Sequence, residues 1–478
     1  MDDGSRGGRL AFAAGAARPL GPFYRRNRAT VRAGVPRSDV LKPGAPEVAD
    51  VNRNDRAITG LVMVAHAMVH TYELSLPLLL PVWQAEFTAL GLPTATIAVT
   101  GFVMGVVLTV GYAPFGLGAL PGGVLADAYG SRRLILGCLV GMGAAFLLLA
   151  VSPSLLAVAF ALFAWGVAAS VYHPSGLALI SKGVEARGSA FAYHGVAGNL
   201  GIAVGPLVTA VLLFALGDWR VVVGLLAVPA LVAAVATARI DVDETAAVPE
   251  TATDGGPDDG DDDAADARAS GSVSSLGEFL TDSRLLFTGS FVLVFAAVML
   301  SGLYYRGLLT FLPEVLGQFP SLAPVEFAGR ELEPERYFYV GLLMIGVAGQ
   351  YAGGRLTDLV PVELGLAGGY GTLAVLAVLF LPVATLGVVP LVVMGALVGF
   401  SLFVVQPFYQ ATVAEYSPAG TRGLSYGYTY LGVFGVGALG GAVAGGVLTY
   451  ATDTALFAVL AAFGALASLC GGVLYLRR

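Results

Sequence analysis

The sequence predicts an all-α membrane protein with twelve transmembrane helices, arranged as two pseudo-symmetric six-helix bundles. Three observations lead to this fold class. The composition is too apolar for a water-soluble chain, twelve long apolar runs can be counted, and a set of short motifs recurs in both halves at a nearly constant offset. Together they place each half of the chain in the bilayer as one bundle.

The composition excludes several classes of protein. The chain has 478 residues, 56% of them hydrophobic and 12% charged, and its mean hydropathy is +0.78. Soluble domains are about 25% charged, which argues against a soluble enzyme and a nucleic-acid-binding protein. The 65 glycines suit membrane helices, whose backbones approach closely. Cys138 and Cys470 lie in apolar runs, which argues against disulfides and thiolate metal sites.

Apolar runs long enough to cross a bilayer, which takes about 20 helical residues, recur along the whole chain. The first six predicted spans lie near 57–82, 95–119, 134–151, 153–181, 188–216 and 219–239. The last six lie near 285–313, 337–355, 365–383, 389–412, 423–450 and 453–475. Residues 57–239 are therefore the predicted N-terminal bundle, and residues 285–478 are the predicted C-terminal bundle.

Two charged segments lie outside the predicted bundles. Residues 1–56 contain eleven Lys and Arg and no long apolar run, which predicts a disordered basic tail. Residues 240–284 form a predicted acidic cytoplasmic linker, with eleven Asp and Glu between Arg239 and Arg268. Such a run repels itself and buries nothing, so we expect a solvated spacer.

Basic residues beside the spans predict the orientation in the membrane. With the N-terminus inside, 22 of the 26 Lys and Arg face the cytoplasm. Arg220, Arg330 and Arg336 fall outside, and Arg306 lies within the seventh span. We therefore expect a multi-pass protein of the plasma membrane with both termini in the cytoplasm.

The two halves of the chain are related by an internal repeat. Four motifs of the first half recur in order in the second, at offsets of 231 to 235 residues. The matching elements are Gly122–Asp127 and Gly353–Asp358, His173-Pro174 and Gln406-Pro407, Arg187-Gly188 and Arg422-Gly423, and Pro81 and Pro313. Four ordered matches indicate duplication, with two parallel halves around a central cavity.

The loop after the second span resembles a known signature. Residues 123–133 read Gly-x-Leu-Ala-Asp-x-x-Gly-x-Arg-Arg. This resembles the loop between helices 2 and 3 of the major facilitator superfamily, although Ala128 and Ser131 stand where that family usually has basic residues. The resemblance covers about 57–475 and implies a solute site near the membrane midplane, reached by alternating access.

Further motifs resemble one branch of that superfamily. Tyr172-His173-Pro174-Ser175-Gly176, Arg187-Gly188 and the stretch 198–206 resemble the fosmidomycin-resistance-like efflux transporters. Gly201-x-x-x-Gly205-Pro206 is similar to the helix 5 motif of drug–proton antiporters, with Thr209-Ala210 in place of its final glycines. The resemblance implies proton-coupled efflux.

The signature loop also supplies candidates for a cytoplasmic gate. Asp127 is expected to face the N-terminus of the eleventh span, which carries partial positive charge, with nearby arginines as ionic partners. Such contacts would hold the two halves together on the inner side and break when the cavity opens inward; a solvated turn with topology-setting arginines is the alternative. The candidate gate residues are Gly123, Asp127, Gly130, Arg132, Arg133, Arg187, Asp358 and Arg422.

Charged side chains within spans are costly in a bilayer, so each is a functional candidate. Glu73 lies in the first span and Arg306 in the seventh, and the repeat offset places them at nearly equivalent positions. They would either pair across the cavity or bind opposite parts of a solute. His66, His70 and Glu73 share one helical face, so Glu73 and His70 are predicted to carry the coupling proton.

Polar and aromatic residues near mid-span predict the cavity lining. The candidates are His66, Tyr172, His173, His194, Asn199, Tyr304, Tyr305, Arg306, Gln350, Gln406, Tyr409 and Tyr430. Packing inside the bundle is the alternative role for any one of them. His66 and His70 have a spacing that zinc would accept, but no third ligand is evident in the sequence, so we predict no metal and no cofactor.

These residues favour a secondary active transporter that works as a monomer, with a small organic solute, protons or another coupling ion, and the lipid bilayer as its partners. Proton-coupled efflux of an organic, and by charge anionic, solute is the leading hypothesis. A nitrate/nitrite-type anion transporter and an uptake symporter are alternatives, although the second span lacks the arginine that nitrate transport requires. A non-transporting membrane sensor is a further class. The chain has no phosphate loop and no hydrolase motif, which argues against an enzyme.

Overall fold

A computed structural model describes residues 52–91, 96–248, 276–418 and 421–478. The first half contains α1 (Arg53–Glu86), β1 (Ala89–Gly91), β2 (Thr96–Ala98), α2 (Gly101–Leu117), α3 (Ala119–Tyr129), α4 (Ser131–Ala150), α5 (Leu155–Ser170), α6 (Tyr172–Gly183), α7 (Arg187–Leu216) and α8 (Trp219–Arg239). The second half contains α9 (Leu276–Phe287), α10 (Phe291–Gly317), β3 (Val325–Phe327), β4 (Arg330–Leu332), α11 (Pro334–Leu356), α12 (Val362–Ala384), α13 (Val388–Tyr416), α14 (Arg422–Tyr430), α15 (Leu439–Tyr450) and α16 (Asp453–Leu476). Short helical turns lie at Pro320–Leu322 and, in π form, at Leu431–Val436.

The described residues form an all-helical membrane fold, as the composition predicts. They contain nine helices long and apolar enough to cross a membrane, or ten if the bent pair α2 and α3 is one span. Two further long helices, α1 and α11, carry more polar side chains and are less apolar on average. With these two the helices are consistent with twelve spans in two sets of six.

Several spans are interrupted where the sequence predicts one continuous helix. The second predicted span begins in the antiparallel β1–β2 hairpin, and its helix starts only after Thr100, whose hydroxyl accepts a hydrogen bond from Val103 N. The span then bends by 48° between α2 and α3. The fourth predicted span breaks between α5 and α6, just before His173 and Pro174, because proline cannot donate a helical hydrogen bond.

The two halves approach closely where α2 packs against α15. A Cβ atom added at Gly105 would collide with the carbonyl oxygen of Gly441, so only glycine permits this separation. Hydrogen bonds between the halves join the same helices: Phe102 N donates to Thr449 Oγ1 at 2.8 Å, and Thr109 Oγ1 donates to the carbonyl of Ala438 at 2.8 Å. Because these bonds use backbone groups, they fix the register of the two halves.

Part of the predicted acidic linker is structured, which corrects the expectation of a solvated spacer at residues 241–248. Residues 241–248 pack against the first half, and α9 occupies the end of the predicted segment. Glu244 accepts hydrogen bonds from Ser131 N (2.7 Å) and Arg132 N (3.2 Å), which caps α4. Thr245 donates two hydrogen bonds to Asp243 and so lowers the pKa of that carboxyl.

The remaining part of the predicted linker, 249–275, lies outside the described residues, as do residues 1–51 of the predicted tail. The first helix begins four residues before the predicted bundle boundary, at Arg53. Asn52 caps it by accepting a hydrogen bond from Asp55 N at 2.7 Å. Asn54 then binds the backbone of Gly183 and Asp243, and so ties the start of α1 to the structured part of the linker.

Replacing Glu244 by Ala should destabilise the fold, because two N–H groups at the start of α4 would lose their acceptor. We expect the free energy of unfolding to fall by about 1 kcal/mol, measured by denaturant titration of the purified protein. Asp241→Ala, a nearby exposed acid, is the matched control and should change it by less than about 0.5 kcal/mol. Equal effects of both substitutions would show that Glu244 acts only through its charge.

Candidate functional site

A cavity of about 580 Å³ lies between the two halves. The first half contributes residues of α1, α6 and α7, and the second half contributes residues of α10 to α14 and the π turn. The cavity reaches from Glu73, in the middle of α1, to Ser181 at the end of α6 and Phe191 at the start of α7. It therefore extends toward the end of the bundle at which α1 begins.

The opposite end of the bundle is closed by contacts between the halves. Tyr339 of α11 donates a hydrogen bond to the carbonyl of Leu74 at 3.2 Å. Phe327 of the β3–β4 hairpin packs on Phe214 of α7, with 6.2 Å between ring centroids. Together with the α2–α15 contact, these interactions separate the cavity from that end.

Glu73 and Arg306 form a buried ion pair that joins the halves at the deep end of the cavity, away from the end at which α1 begins. Arg306 Nη2 donates to Glu73 Oε1, and the two side chains are 2% and 1% exposed. The guanidinium carbon lies 3.8 Å from the centroid of the Tyr112 ring, a cation–π contact. The Tyr112 hydroxyl donates to the backbone carbonyl of Glu73 at 2.8 Å. The pair is thus held on both sides by the same tyrosine.

A line of hydrogen-bonded groups continues from Glu73 along α1. Its second carboxylate oxygen, Oε2, lies 2.5 Å from His70 Nδ1. His70 Nε2 lies 3.0 Å from His66 Nε2, and His66 Nδ1 lies 2.7 Å from the backbone carbonyl of His194. We call this series, from Arg306 to the His194 carbonyl, the polar chain.

The four histidines of the sequence form one cluster. The rings of His66 and His194 stack with centroids 3.8 Å apart, and His173 lies 5.3 Å from His66 and 4.9 Å from Tyr430. Ring nitrogens of His66, His70 and His173 lie within 4.8 Å of one another, so the fold supplies a third possible metal ligand that the sequence spacing does not reveal. Two nitrogens on one tetrahedral Zn²⁺ would stand about 3.3 Å apart, so the 3.0 Å contact fits a hydrogen bond better.

Glycines of α7 allow this arrangement. Added Cβ atoms at Gly198, Gly201 and Gly205 would collide with His66, Ala67 and Thr71 of α1. The two helices therefore approach closely enough for the His194 carbonyl to reach the His66 ring. Thr209, which stands in place of a motif glycine, donates a hydrogen bond to Ser75 Oγ at 2.8 Å.

Most of the predicted site residues line the cavity. Those that do are His66, His70, Glu73, His173, His194, Asn199, Tyr305, Gln350, Gln406, Tyr409 and Tyr430. Within the described residues, His194 Nε2 and Gln350 Oε1 are buried without a hydrogen-bond partner. These two atoms are available to bind a solute.

Three predicted lining residues do not line the cavity. The Tyr172 hydroxyl donates to the carbonyl of Val62 at 2.5 Å, and the Tyr304 hydroxyl donates to the carbonyl of Leu373 at 3.0 Å. Both tyrosines face neighbouring helices because adjacent positions on a helix point about 100° apart, whereas His173 and Tyr305 face the cavity. Arg306 lies behind Glu73, between Tyr112 and Tyr305.

Sequence reasoning missed several lining residues, namely Ser301, Tyr370, Tyr426 and Thr429. Two of them carried a signal, because Ser301 and Tyr426 lie one helical turn before Tyr305 and Tyr430. It also missed Tyr112, which orients the ion pair without lining the cavity.

In this structure, whose cavity extends toward the end at which α1 begins, Asp127, Arg132 and Arg187 bind groups of the first half, and the expected contact of Asp127 with the eleventh span stays a prediction for the closed state. Lys182 Nζ binds Asp127 Oδ1 at 2.7 Å, and both side chains are about half exposed. Arg132 donates to the carbonyls of Thr237 and Ala238, and Arg187 to that of Ala247. Lys182 lies near the end of α6, and α6 packs against α3, the helix that carries Asp127.

The other gate candidates have fewer interactions. Gly130 has a positive φ of 85°, which permits the tight turn into α4. A Cβ at Gly123 would meet open space, and Arg133 and Asp358 are exposed. Arg422 begins α14, and its side chain lies outside the described part of the structure.

The sequence matches a known family over most of its length. The model of the family described as Major Facilitator Superfamily matches residues 57–441. Among curated proteins, a Na(+), Li(+), K(+)/H(+) antiporter of Planococcus maritimus is 36% identical over 102 residues, which are 20% of this chain and 24% of the antiporter. An uncharacterized MFS-type transporter of Mycobacterium tuberculosis is 40% identical over 121 residues, 23% of this chain and 28% of that protein. The matched stretch thus spans about a quarter of each relative.

Solved structures share the fold at low sequence identity. A peptide transporter, POT, in complex with sulfate superposes with a TM-score of 0.65 at 16% identity, covering 88% of this chain and 95% of that one. A nucleoside transporter, NupG, gives 0.65 at 13% identity, covering 88% and 99%. A bacterial homolog of the human lysosomal transporter Spinster gives 0.64 at 12% identity, covering 88% and 97%.

Breaking the buried ion pair should destabilise the protein strongly. Glu73→Gln or Arg306→Gln leaves one charge without its partner, and we expect each to lower the free energy of unfolding by about 3–5 kcal/mol. The double Gln variant removes both charges and should lose clearly less than the sum of the two single losses. Additive losses in denaturant titrations would contradict a direct interaction between the side chains.

Proposed function

Because this chain belongs to the major facilitator superfamily, it is a membrane transporter and not an enzyme, and we propose that it exports a small organic solute by proton-coupled alternating access. One observation carries the proposal. The cavity lies between two repeated halves, reaches toward one end of the bundle, and ends at an ion pair contributed by both halves. A solute bound there can change sides only if the contacts between the halves rearrange.

The orientation part of the proposal comes from the distribution of basic residues. With both termini in the cytoplasm of a plasma-membrane protein, the cavity faces the cytoplasm, and the closed end at the β3–β4 hairpin faces outside. This is the state in which an exporter takes up its solute. We further propose that α3 and α14, which meet where Leu120 approaches Gly427, form the inner gate, with Asp127 and Lys182 fixing α3.

The cavity lining supports a small, polar solute. Among the described lining residues, hydrogen-bonding groups come from glutamines, tyrosines, histidines and Asn199, and the only carboxylate, Glu73, is already paired. No lining acid is therefore free to bind a cation, which favours a neutral or anionic organic molecule. The nitrate-type alternative is less well supported, because Arg306 is bound by Glu73 and no lining residue is an arginine.

Proton coupling is proposed for Glu73 and His70. Their hydrogen bond connects the ion pair between the halves to the histidines of the cavity wall. A proton that neutralises Glu73 would weaken its attraction to Arg306 and so link proton binding to the contact between the halves. The similarity to a Na(+), Li(+), K(+)/H(+) antiporter, which covers 102 residues, supports a role for protons in transport. We propose that the monomer carries the full pathway, since both halves lie in one chain.

Cysteine labelling tests the proposed orientation. In a variant with Cys138 and Cys470 replaced by Ser, Leu386→Cys and Leu359→Cys each add one thiol at a position 72% or 77% exposed. A membrane-impermeant maleimide should label Leu386→Cys in intact cells and Leu359→Cys only after permeabilisation. The reverse pattern would invert the orientation and make the cavity outward-facing.

Transport itself is tested in everted membrane vesicles acidified inside by respiration, with a fluorescent pH indicator. We expect compounds from a panel of organic acids, amines and antibiotics to alter the pH gradient only in vesicles that contain the protein. Glu73→Gln should abolish this response yet keep exchange of labelled solute, because exchange needs no proton to be released. Glu326→Gln, on the exposed hairpin, is the matched control. Normal gradients with every compound would favour the sensor alternative.

A further inference from the structure

The two ends of the polar chain have fixed roles in hydrogen bonding. Arginine can only donate, so Arg306 donates to Glu73. A backbone carbonyl can only accept, so His66 Nδ1 carries a hydrogen and donates to the His194 carbonyl. The groups between these ends must supply one hydrogen for each of the two remaining contacts.

The number of hydrogens that these contacts need gives the net charge of the polar chain. The Glu73–His70 contact and the His70–His66 contact need one hydrogen each, and His66 Nδ1 holds a third. An ionised glutamate and two neutral imidazoles bring only two. Hydrogen bonds at all three contacts therefore require one additional proton, either on His70 or on Glu73 with His70 in its Nε2–H tautomer. Without it, two bare Nε2 lone pairs would face each other at 3.0 Å.

The surroundings contain no second charge that could replace this proton. The titratable and charged groups that face Glu73, His70 and His66 in the described structure are His173 and Tyr172 of α6, His194 of α7, Tyr112 of α2, Arg306 and Tyr305 of α10, Tyr339 of α11, Tyr409 of α13 and Tyr430 of α14. Arg306 is the only fixed cation among them. With the additional proton, the net charge of the polar chain, Arg306 included, is +1. Without it, the net charge is zero.

We propose that Glu73, His70 and His66 together form the coupling-proton site, that this structure is its proton-loaded form, and that the solute is a small anion which binds with the proton. The proposal rests on the proposed transport function. It adds the charge of the solute and whether proton and solute move in the same direction. A positive charge on the cavity wall attracts an anion and repels a cation, so proton and solute bind together. Transport is then cotransport of a proton with an organic anion and not exchange of one for the other, so the proposed export is driven by the outward gradient of the anion and is opposed by an inward proton gradient.

The proton site can be observed directly, because the chain has only four histidines. We would label the full-length protein with ¹⁵N-histidine, purify it with a histidine-free tag, and record solid-state NMR spectra in lipid bilayers. The expected result at pH 6 is one hydrogen correlated with the Nε2 atoms of two different histidines. His66→Gln and His70→Gln should each remove that signal, and His173→Gln should keep it. Unprotonated Nε2 atoms on both His66 and His70 at pH 6 would overturn the proposal.

The charge of the cavity is measured with a thiol on its wall. Ser301→Cys, in the variant with Cys138 and Cys470 replaced by Ser, reacts with methanethiosulfonates of opposite charge, sulfonatoethyl and trimethylammonioethyl. A unit charge about 10 Å from a thiol, at an effective dielectric constant of about 40, changes the ratio of the two rates about 15-fold. We expect the ratio of the reaction rate of the anionic reagent to that of the cationic reagent to fall by about this factor as pH rises and the site loses its proton.

Two substitutions should make the ratio of the two reaction rates independent of pH, one at a high value and the other at a low value. In Glu73→Gln, the amide donates to His70 Nδ1, so the hydrogen bonds are complete without an additional proton and Arg306 leaves the charge at +1. The ratio should stay high at every pH. In His70→Gln no imidazole links Glu73 to His66, and the ratio should stay low. A pH-dependent ratio in His70→Gln, or a wild-type ratio that rises with pH, would overturn the proposal even if Glu73→Gln fails to fold.

These measurements separate the inference from the proposed function. Both are made on purified protein and need no solute flux, so a protein that shows the bridging proton but transports nothing contradicts only the proposed function. A protein that exchanges solutes in vesicles but has bare Nε2 atoms contradicts only the inference. A competitive loss of proton binding on addition of an organic ammonium compound would replace anion cotransport by cation exchange.

Discussion

The buried pair of Glu73 and Arg306 is the constraint on which the rest of the molecule depends. A lone charge inside a bilayer costs several kcal/mol, so neither residue is tolerated without a partner. Because the acid lies in α1 and the base in α10, their attraction also holds the two halves together at the deep end of the cavity. Tyr112 packs on the guanidinium, and His70 binds the free carboxylate oxygen. The depth of the cavity and the position of its polar wall both follow from where this pair lies.

Small residues bring the backbones close enough for that polar wall to form. The glycines of α7 remove the side chains that would keep it away from α1, and the carbonyl of His194 then reaches His66. Gly105 and Gly441 do the same for α2 and α15 at the contact between the halves. In a bilayer, where apolar contacts with lipid and with protein differ little, close packing and hydrogen bonds supply most of the attraction between helices. The glycine-rich composition is thus directly connected to the site.

Most of the fold could be predicted from the sequence, because apolar run length and repeated motifs are local signals. The repeat offset also indicates nearly equivalent positions for Glu73 and Arg306 in the two halves, although it leaves open whether they pair or bind a solute separately. The partner of Asp127 could not be predicted, since Lys182 reaches it through the packing of α6 against α3, which no local sequence signal encodes. His173 joins His66 across a hundred residues, which no helical spacing encodes. Glu244 lies within an acidic run that predicts solvation, yet the bare N–H groups at the start of α4 give it a structural role.

Alternating access requires that the buried pair can be opened, and its surroundings restrict how. Glu73 can leave Arg306 at low cost only if a proton neutralises it, and His70, at 2.5 Å from its carboxylate, is the nearest source. Arg306 cannot lose its charge, so it needs another anion once Glu73 withdraws. If a proton neutralises Glu73 and no anion binds Arg306, the guanidinium remains as an unpaired buried charge. If an anion binds Arg306 and Glu73 is not protonated, the carboxylate remains as the unpaired charge. Under the mechanism that we propose, both therefore arrive in the same step, and coupling follows from burying one acid against one base between two halves that have to separate.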